Sequence, residues 1–261
     1  MTSGNIDVHR SAADGFERGA ATYARGRPGY PPQALAWLRE DLDLRTGRTV
    51  LELGAGTGIF TQLLSQTGAE IIAADPVVGM LAQLAAKLPG VRTLRANAQE
   101  LPLAPASVDA VVCAQSFHWF ATVAALSEIR RVLKAGGSLG LVWNVRDRSV
   151  PWVDVLARIV DRHEGDAPRY DDSEWRRVFP AMGFGPMGER TAVNVHTGTA
   201  EQVIVDRVAS VSFIAALPDS DRRVVLDEVR ALIAATPDLA EASEVHVPYL
   251  TKMFWCRKTG S

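Results

Sequence analysis

The segment Leu51-Glu52-Leu53-Gly54-Ala55-Gly56-Thr57-Gly58 constrains the fold of this chain more than any other. Val50, Leu51 and Leu53 form a short apolar run of the kind found in strands buried on both faces. The glycines follow at once, and Ile59, Phe60, Leu63 and Leu64 then recur at helical spacing. Strand, glycine turn and helix start together let a backbone approach a phosphate or a nucleoside. Glycine accepts positive φ and places no Cβ against the ligand. A dinucleotide fingerprint, G-x-G-x-x-G, would need its third glycine at position 59, which is Ile59. Glycines alone would also serve a tight turn made only for packing. The next apolar run, Glu70 to Ala74, ends in Asp75. An acidic residue about 20 positions past the turn, closing the second strand, is placed to hold ribose hydroxyls. Turn and acid together predict a nucleoside-binding α/β domain.

With Glu52 before it, the turn reads E-x-G-x-G-x-G and resembles motif I of the class I S-adenosylmethionine-dependent methyltransferases. Three further segments carry the resemblance. Tyr23-x-x-x-Arg27-Pro28-x-Tyr30-Pro31 is similar to the N-terminal segment of small-molecule methyltransferases related to trans-aconitate methyltransferase. There the segment folds over the cofactor, so Tyr23 and Arg27 contact cofactor or substrate, or else Tyr23 and Tyr30 only pack the segment down and Arg27 is a solvated charge. Asn97-Ala98-Gln99-Glu100-Leu101-Pro102 resembles D-A-x-x-L-P, whose acid faces the adenine amine. Asn97 keeps an acceptor oxygen without the charge, and the backbone at Ala98 would serve as well. Gln115-Ser116-Phe117-His118-Trp119-Phe120 resembles a Q-x-x-H-W-F loop that closes off the cofactor and faces the substrate. It is not the N/D-P-P-Y/F loop of nucleic-acid and protein-amide N-methyltransferases, which points to a small-molecule acceptor. The resemblance covers roughly residues 16–256 and is strongest over 48–146. It implies S-adenosyl-L-methionine as cofactor, S-adenosyl-L-homocysteine as product, and cofactor contacts at Tyr23, Arg27, Glu52, Gly54, Ala55, Gly56, Thr57, Gly58, Asp75, Pro76, Met80, Asn97, Ala98, Gln115 and Ser116.

Strand and helix alternate from 48 to 146, which predicts right-handed parallel crossovers and a doubly wound sheet. Val77, Leu81, Leu84 and Leu88 outline a helix stopped by Pro89-Gly90. Val91–Ala96 and Ser107–Ala114 are the third and fourth strands. Helix 121–133 is expected to end on Lys134-Ala135-Gly136-Gly137 as a basic last turn and glycine cap. Ser138–Val145 is the fifth strand. The alternation lapses over 149–184, where Val153, Leu156, Ile159 and Val160 mark one helix and Trp175, Val178, Phe179 and Met182 a second. This is a helical cap too short to hold its own core. Residues 190–197 make the sixth strand, 200–208 a helix, then a long amphipathic helix, and the second half of 245–256 the final strand. The resemblance implies a Rossmann-like seven-stranded sheet of order 3-2-1-4-5-7-6 with the last strand antiparallel. One domain follows: an N-terminal lid segment (1–45), a cofactor-binding core (46–148), the cap (149–184) and the C-terminal part of the sheet (185–261).

Methyl transfer from a sulfonium is an in-line displacement needing alignment and exclusion of water rather than acid catalysis. A carboxylate acceptor needs no base at neutral pH, whereas a phenol or amine gains from one. The expected reaction is O-methylation of a carboxylate or hydroxyl. His118 is the side chain in the right loop with a suitable pKa: a general base, a substrate hydrogen-bonder, or a wall of the pocket. Trp119, Trp143, Asn144 and Arg146 are expected at the substrate with it. Arg27, Arg146 and Arg148 would hold an anionic substrate, or else pair with surface acids. Net charge is −2, giving no reason to expect nucleic acid or an anionic membrane. The histidines lack H-x-x-x-H spacing and the two cysteines form no C-x-x-C pair, so no metal is expected. No apolar run is long enough for a signal or a membrane span, so a cytoplasmic protein is expected. The rival readings are a nicotinamide-dependent oxidoreductase, disfavoured by Ile59, and a member of the fold that binds the cofactor without methylating.

Overall fold

The computed structural model describes residues 26–165, 168–170 and 173–260. Seven strands form one sheet: β1 (Thr49–Leu53), β2 (Glu70–Asp75), β3 (Arg92–Arg95), β4 (Val108–Ala114), β5 (Leu133–Arg146), β6 (Gly188–Gly198) and β7 (Val245–Arg257). Their order is β3-β2-β1-β4-β5-β7-β6, as the family resemblance implies. The first five pair in parallel, with Leu51 of β1 between Ile72 and Val111. Only β7 runs against its neighbours β5 and β6.

Helices cover both faces, because the central strands are apolar on both. Helix α1 (Pro32–Glu40) lays Trp37 and Leu38 against Val112 and Val142 on one side. Between the strands run α2 (Ile59–Leu64), α3 (Val78–Lys87) and α4 (Val123–Val132). On the opposite face α4 buries Leu126 and Ile129 against Val111, Cys113 and Leu141. A third cluster joins α5 (Pro151–Asp161), a π-helical turn over Glu201–Asp206 and α6 (Asp219–Ala235) through Leu156, Val160, Ile204, Val225 and Val229. No helix among the described residues is long and apolar enough to cross a membrane.

Four local expectations are corrected. Helix α4 is shorter than 121–133: Thr122 Oγ1 accepts from the Ala125 N–H at 3.2 Å, and the chain leaves the helix at Leu133. Leu133 already pairs with Val108, so Lys134–Gly137 form a bulge within β5 rather than a glycine cap. The Lys134 ammonium reaches Asp109 at 2.8 Å, and Asp109 also takes Arg48 at 3.0 Å. Asp109 therefore braces the end of β4 remote from the ligand side.

The second cap helix is only a 3-10 turn, Glu174–Val178. Phe179 precedes Pro180, which drives it to extended backbone (φ −113°, ψ 146°) and stops the helix. Met182, expected on its apolar face, is 95% exposed. Trp175 is buried instead against Trp143 and Phe254, with ring centroids 4.7 and 5.2 Å apart. Residues 201–206 wind as a π-helix where an α-helix is expected. Finally, β7 spans all of 245–257, not its second half. Pro248 argues against a central strand, but β5 stops pairing at Arg146–Tyr249, so from 248 outward β7 needs donors only toward β6.

Candidate active site

The glycine turn sits at the carboxyl end of β1, where open α/β sheets bind ligands. Gly54, Gly56 and Gly58 all have positive φ (+72°, +55° and +85°). Each does a different job. A Cβ on Gly54 would lie 2.4 Å from Ser116 Cβ, so this glycine lets the β4 loop close over the turn. A Cβ on Gly58 would meet Leu84 at 2.9 Å, so this one lets α2 approach α3. A Cβ on Gly56 would meet nothing within 4 Å, which marks the open side of the turn.

Asp75, at the end of β2, turns back onto that open side. Its Oδ2 accepts from the Gly56 N–H at 2.9 Å and its Oδ1 from the Val77 N–H at 2.8 Å. Burial raises its pKa, against the pull of those two bonds. Each oxygen keeps a lone pair beyond these bonds. Glu52 is 1% exposed and accepts from the Thr61 hydroxyl at 2.6 Å. Burial pushes its pKa up to about 8, so it holds a proton at neutral pH. Beside it Thr57 Oγ1 is buried with no hydrogen-bond partner among the described residues. An orphaned hydroxyl, an open glycine and a ribose-suited carboxylate fit a nucleoside cofactor.

Two cavities meet above this turn. The smaller, about 40 Å³, is lined by Glu52, Gly54, Ala55, Thr57 and Gln115, together with Arg27, Tyr30 and Phe60. The larger, about 150 Å³, is lined by His118, Trp119, Trp143, Asn144 and Arg146 and by cap residues including Arg169 and Tyr170. Arg27, Gln115 and Arg207 line both. The segment carrying Arg27 straps across the junction. Arg27 Nη2 donates to the Ser210 carbonyl at 3.0 Å, and a Cβ on Gly26 would fall 2.7 Å from the Arg207 backbone.

Several predicted site residues prove to have other work. Asn144 Nδ2 donates to the Gly29 carbonyl at 2.9 Å, while its Oδ1 accepts from Asn194 at 3.1 Å and from Thr251 at 2.6 Å. That side chain anchors the strap while also lining the larger cavity. Asn97 Oδ1 accepts from the Gln99 and Glu100 N–H groups at 2.9 and 2.8 Å, so the acceptor expected for adenine is occupied by its own loop. Ser116 Oγ donates to the Leu53 carbonyl at 2.6 Å and ties the loop to β1. Met80 is in the core at 3% exposure, and Pro76, Ala98 and Gly58 do not line either cavity. Arg148 pairs with Asp154 and Asp161 at 2.8 and 2.9 Å. Tyr23 lies outside the described residues.

His118 lines the larger cavity, and its ring is held by a neighbour. Trp143 Nε1–H donates to His118 Nδ1 at 3.1 Å. An indole nitrogen only donates, so Nδ1 is the acceptor and the neutral ring carries its proton on Nε2. A general base at Nε2 does not fit that tautomer. Trp143 itself is 1% exposed, orients the imidazole and lines the larger cavity. Sequence reasoning missed Arg207, Arg169 and Tyr170. None belongs to a motif; they reach the cavity from the cap and from the π-helical turn, a feature frequent at functional sites.

This strand order with the turn and the acid defines a nucleoside-cofactor-binding α/β fold, and comparison with known proteins names the group. A family model described as a methyltransferase domain matches residues 51–141. An uncharacterized methyltransferase of Mycobacterium tuberculosis, Rv3342, is 40% identical over 251 residues, covering 96% of this chain and 97% of that one. In fold, the YcgJ protein of Bacillus subtilis is similar with a TM-score of 0.58 at 18% identity, covering 88% of this chain and all of that one. So is Haemonchus contortus phosphoethanolamine N-methyltransferase 2 in complex with S-adenosyl-L-methionine, with a TM-score of 0.56 at 18% identity, over 100% of this chain and 62% of that one. The chain belongs to the class I S-adenosylmethionine-dependent methyltransferases. Its special relation to trans-aconitate methyltransferase is not among these findings.

Proposed function

We propose that this methyltransferase acts on a small molecule and places the methyl group on oxygen, a carboxylate oxygen in the first instance. The observation that carries the reading is the bond from Trp143 to His118 Nδ1. It leaves His118 a donor, and none of the described residues lining the larger cavity is Asp or Glu. Among the described residues, the lining of that cavity offers no carboxylate to take a proton at neutral pH. A carboxylate acceptor is already ionised there and needs no base. A hydroxyl or an amine would be the poorer fit.

When bound, the cofactor supplies a methyl group on a sulfonium that departs as a neutral thioether. The chain supplies position and dryness. Glu52, Thr57 and the Gly54–Gly58 turn would hold the methionine and ribose parts, with Asp75 on the hydroxyls. Gln115, shared by both cavities, keeps its backbone in place by donating from N–H to the Val142 carbonyl at 2.8 Å. The strap at Arg27–Tyr30 excludes water from the junction, which strengthens every polar contact within it. The small volume of the larger cavity, about 150 Å³, favours a metabolite-sized acceptor over a nucleic-acid strand.

Transfer of a labelled methyl group to a panel of small carboxylic acids, phenols and amines tests this reading. Carboxylate methylation gives an ester that releases labelled methanol in mild alkali. Label retained through that treatment, in every product formed, would reject the carboxylate assignment.

A further inference from the structure

Among the described residues, the acceptor cavity holds more arginines than the carboxylates around it pair with. Five arginines line it: Arg27, Arg146, Arg148, Arg169 and Arg207. Arg148 is paired with Asp154 and Asp161, and Arg169 with Asp161 and Glu164. Arg27 is bound to the Ser210 carbonyl. Arg146 and Arg207 are different. Arg146 Nε and Nη2, and Arg207 Nε and Nη1, are buried with no hydrogen-bond partner among the described residues.

Register explains how the two come together. Arg146 of β5 stands opposite Tyr249 of β7, which stands opposite Asn194 of β6, so the three share one row of the sheet. Tyr249 is 1% exposed, and its hydroxyl also lacks a partner among the described residues. Two residues beyond Asn194, His196 has a buried Nδ1 in the same condition. Arg207 comes down on this corner from the end of the π-helical turn. Burial, then the charge of Arg207, push the Arg146 guanidinium down to about 10. His196 is pushed down to about 4 by burial and then by Arg207, so it stays neutral and adds no further charge. Two buried guanidinium groups lining one cavity, with no carboxylate paired to either among the described residues, are unfavourable, and an oxyanion accepting from both would relieve that.

We infer that Arg146 and Arg207 form a subsite for a fixed oxyanion of the methyl acceptor, a carboxylate or phosphate distinct from the oxygen that is methylated. The distinction is chemical. An oxygen whose lone pairs are taken by two guanidinium groups is a poor nucleophile, so the clamped anion serves as a handle. Arg207 lines both cavities and Arg146 only the larger, which sets the handle on the acceptor side of the junction. This inference rests on the methyl-acceptor reading of the larger cavity.

The test uses the full chain without cofactor, melted in the presence of succinate, glutarate or inorganic phosphate. Neutral dimethyl succinate is the uncharged control, and sodium chloride matches ionic strength. The expected result is a saturable rise in Tm with at least one of the dianions and none with the diester. Arg146→Met and Arg207→Met keep the apolar stems, and each should weaken dianion binding at least tenfold. Without ligand each variant should melt no lower than the wild type, because a like-charge contact has been removed. A purely structural arginine would give the reverse, a lower Tm with dianion binding intact. That pattern, or equal shifts with the diester, overturns the proposal. Parallel calorimetric titration of the wild type with S-adenosylhomocysteine reports on the cofactor reading separately.

Discussion

Glu52→Gln offers a sharp quantitative test of the site. The Glu52 carboxyl is fully enclosed beneath the glycine turn, and burial raises its pKa from the ordinary 4.5 to about 8. The Thr61 hydroxyl bond pulls the other way and Asp75 adds to the rise. A raised carboxyl pKa means the native state keeps a proton that the unfolded chain has released. Stability from this group is therefore fully present below pH 4.5 and is lost as pH climbs through about 8. At about 1.4 kcal/mol per unit, the loss over that window is roughly 5 kcal/mol. Glutamine keeps an acceptor for Thr61 and has nothing to ionise. Asp75 rises in pKa too, so the wild-type curve alone cannot isolate Glu52; the difference between the two proteins can. Urea unfolding of both, without cofactor, from pH 5 to pH 9 measures it. The variant should gain on the wild type by about 1 kcal/mol per pH unit through the middle of that range. Parallel curves would refute the argument, because they would mean Glu52 is ionised in the native state at neutral pH.

Gly54→Ala should be among the most damaging single-methyl changes in the chain. Its Cβ would sit 2.4 Å from Ser116 Cβ at a φ of +72°, and a loss of roughly 2–4 kcal/mol by chemical denaturation is expected. Asn144→Ala strips partners from Asn194, Thr251 and the Gly29 carbonyl at once. A loss of about 3 kcal/mol should follow, with faster amide exchange along residues 26–31 than in β1. Trp143→Phe removes the indole donor to His118 while keeping most of the aromatic packing. Nitrogen NMR of the imidazole should show a single Nε2-protonated tautomer in the wild type and a mixture in the variant; one tautomer in both would dismiss Trp143 as the cause.

The central strands and the glycine turn were legible in the chain itself, whereas the sheet order came from the family resemblance. An apolar run of period one, three glycines at alternate positions and an acid at the next strand end are local signals. Local signals survive because backbone conformation and ligand approach are decided within a few residues. The helix boundaries failed where a distant partner intervened. Leu133 left the helix to pair with Val108, and Pro248 was carried into a central strand because β5 ends at Arg146. Residue types alone put Asn144, Asn97 and Ser116 on a ligand. Only the tertiary structure shows their polar atoms already engaged by Gly29, by the Gln99–Glu100 backbone and by Leu53. The same holds for charge. Sequence supplies Arg146, Arg148, Arg169 and Arg207 as equals, and packing then neutralises two with nearby carboxylates and leaves two without. Which arginine can recognise an anion depends on what else is within about 4 Å of it, and sequence separation carries no information about that.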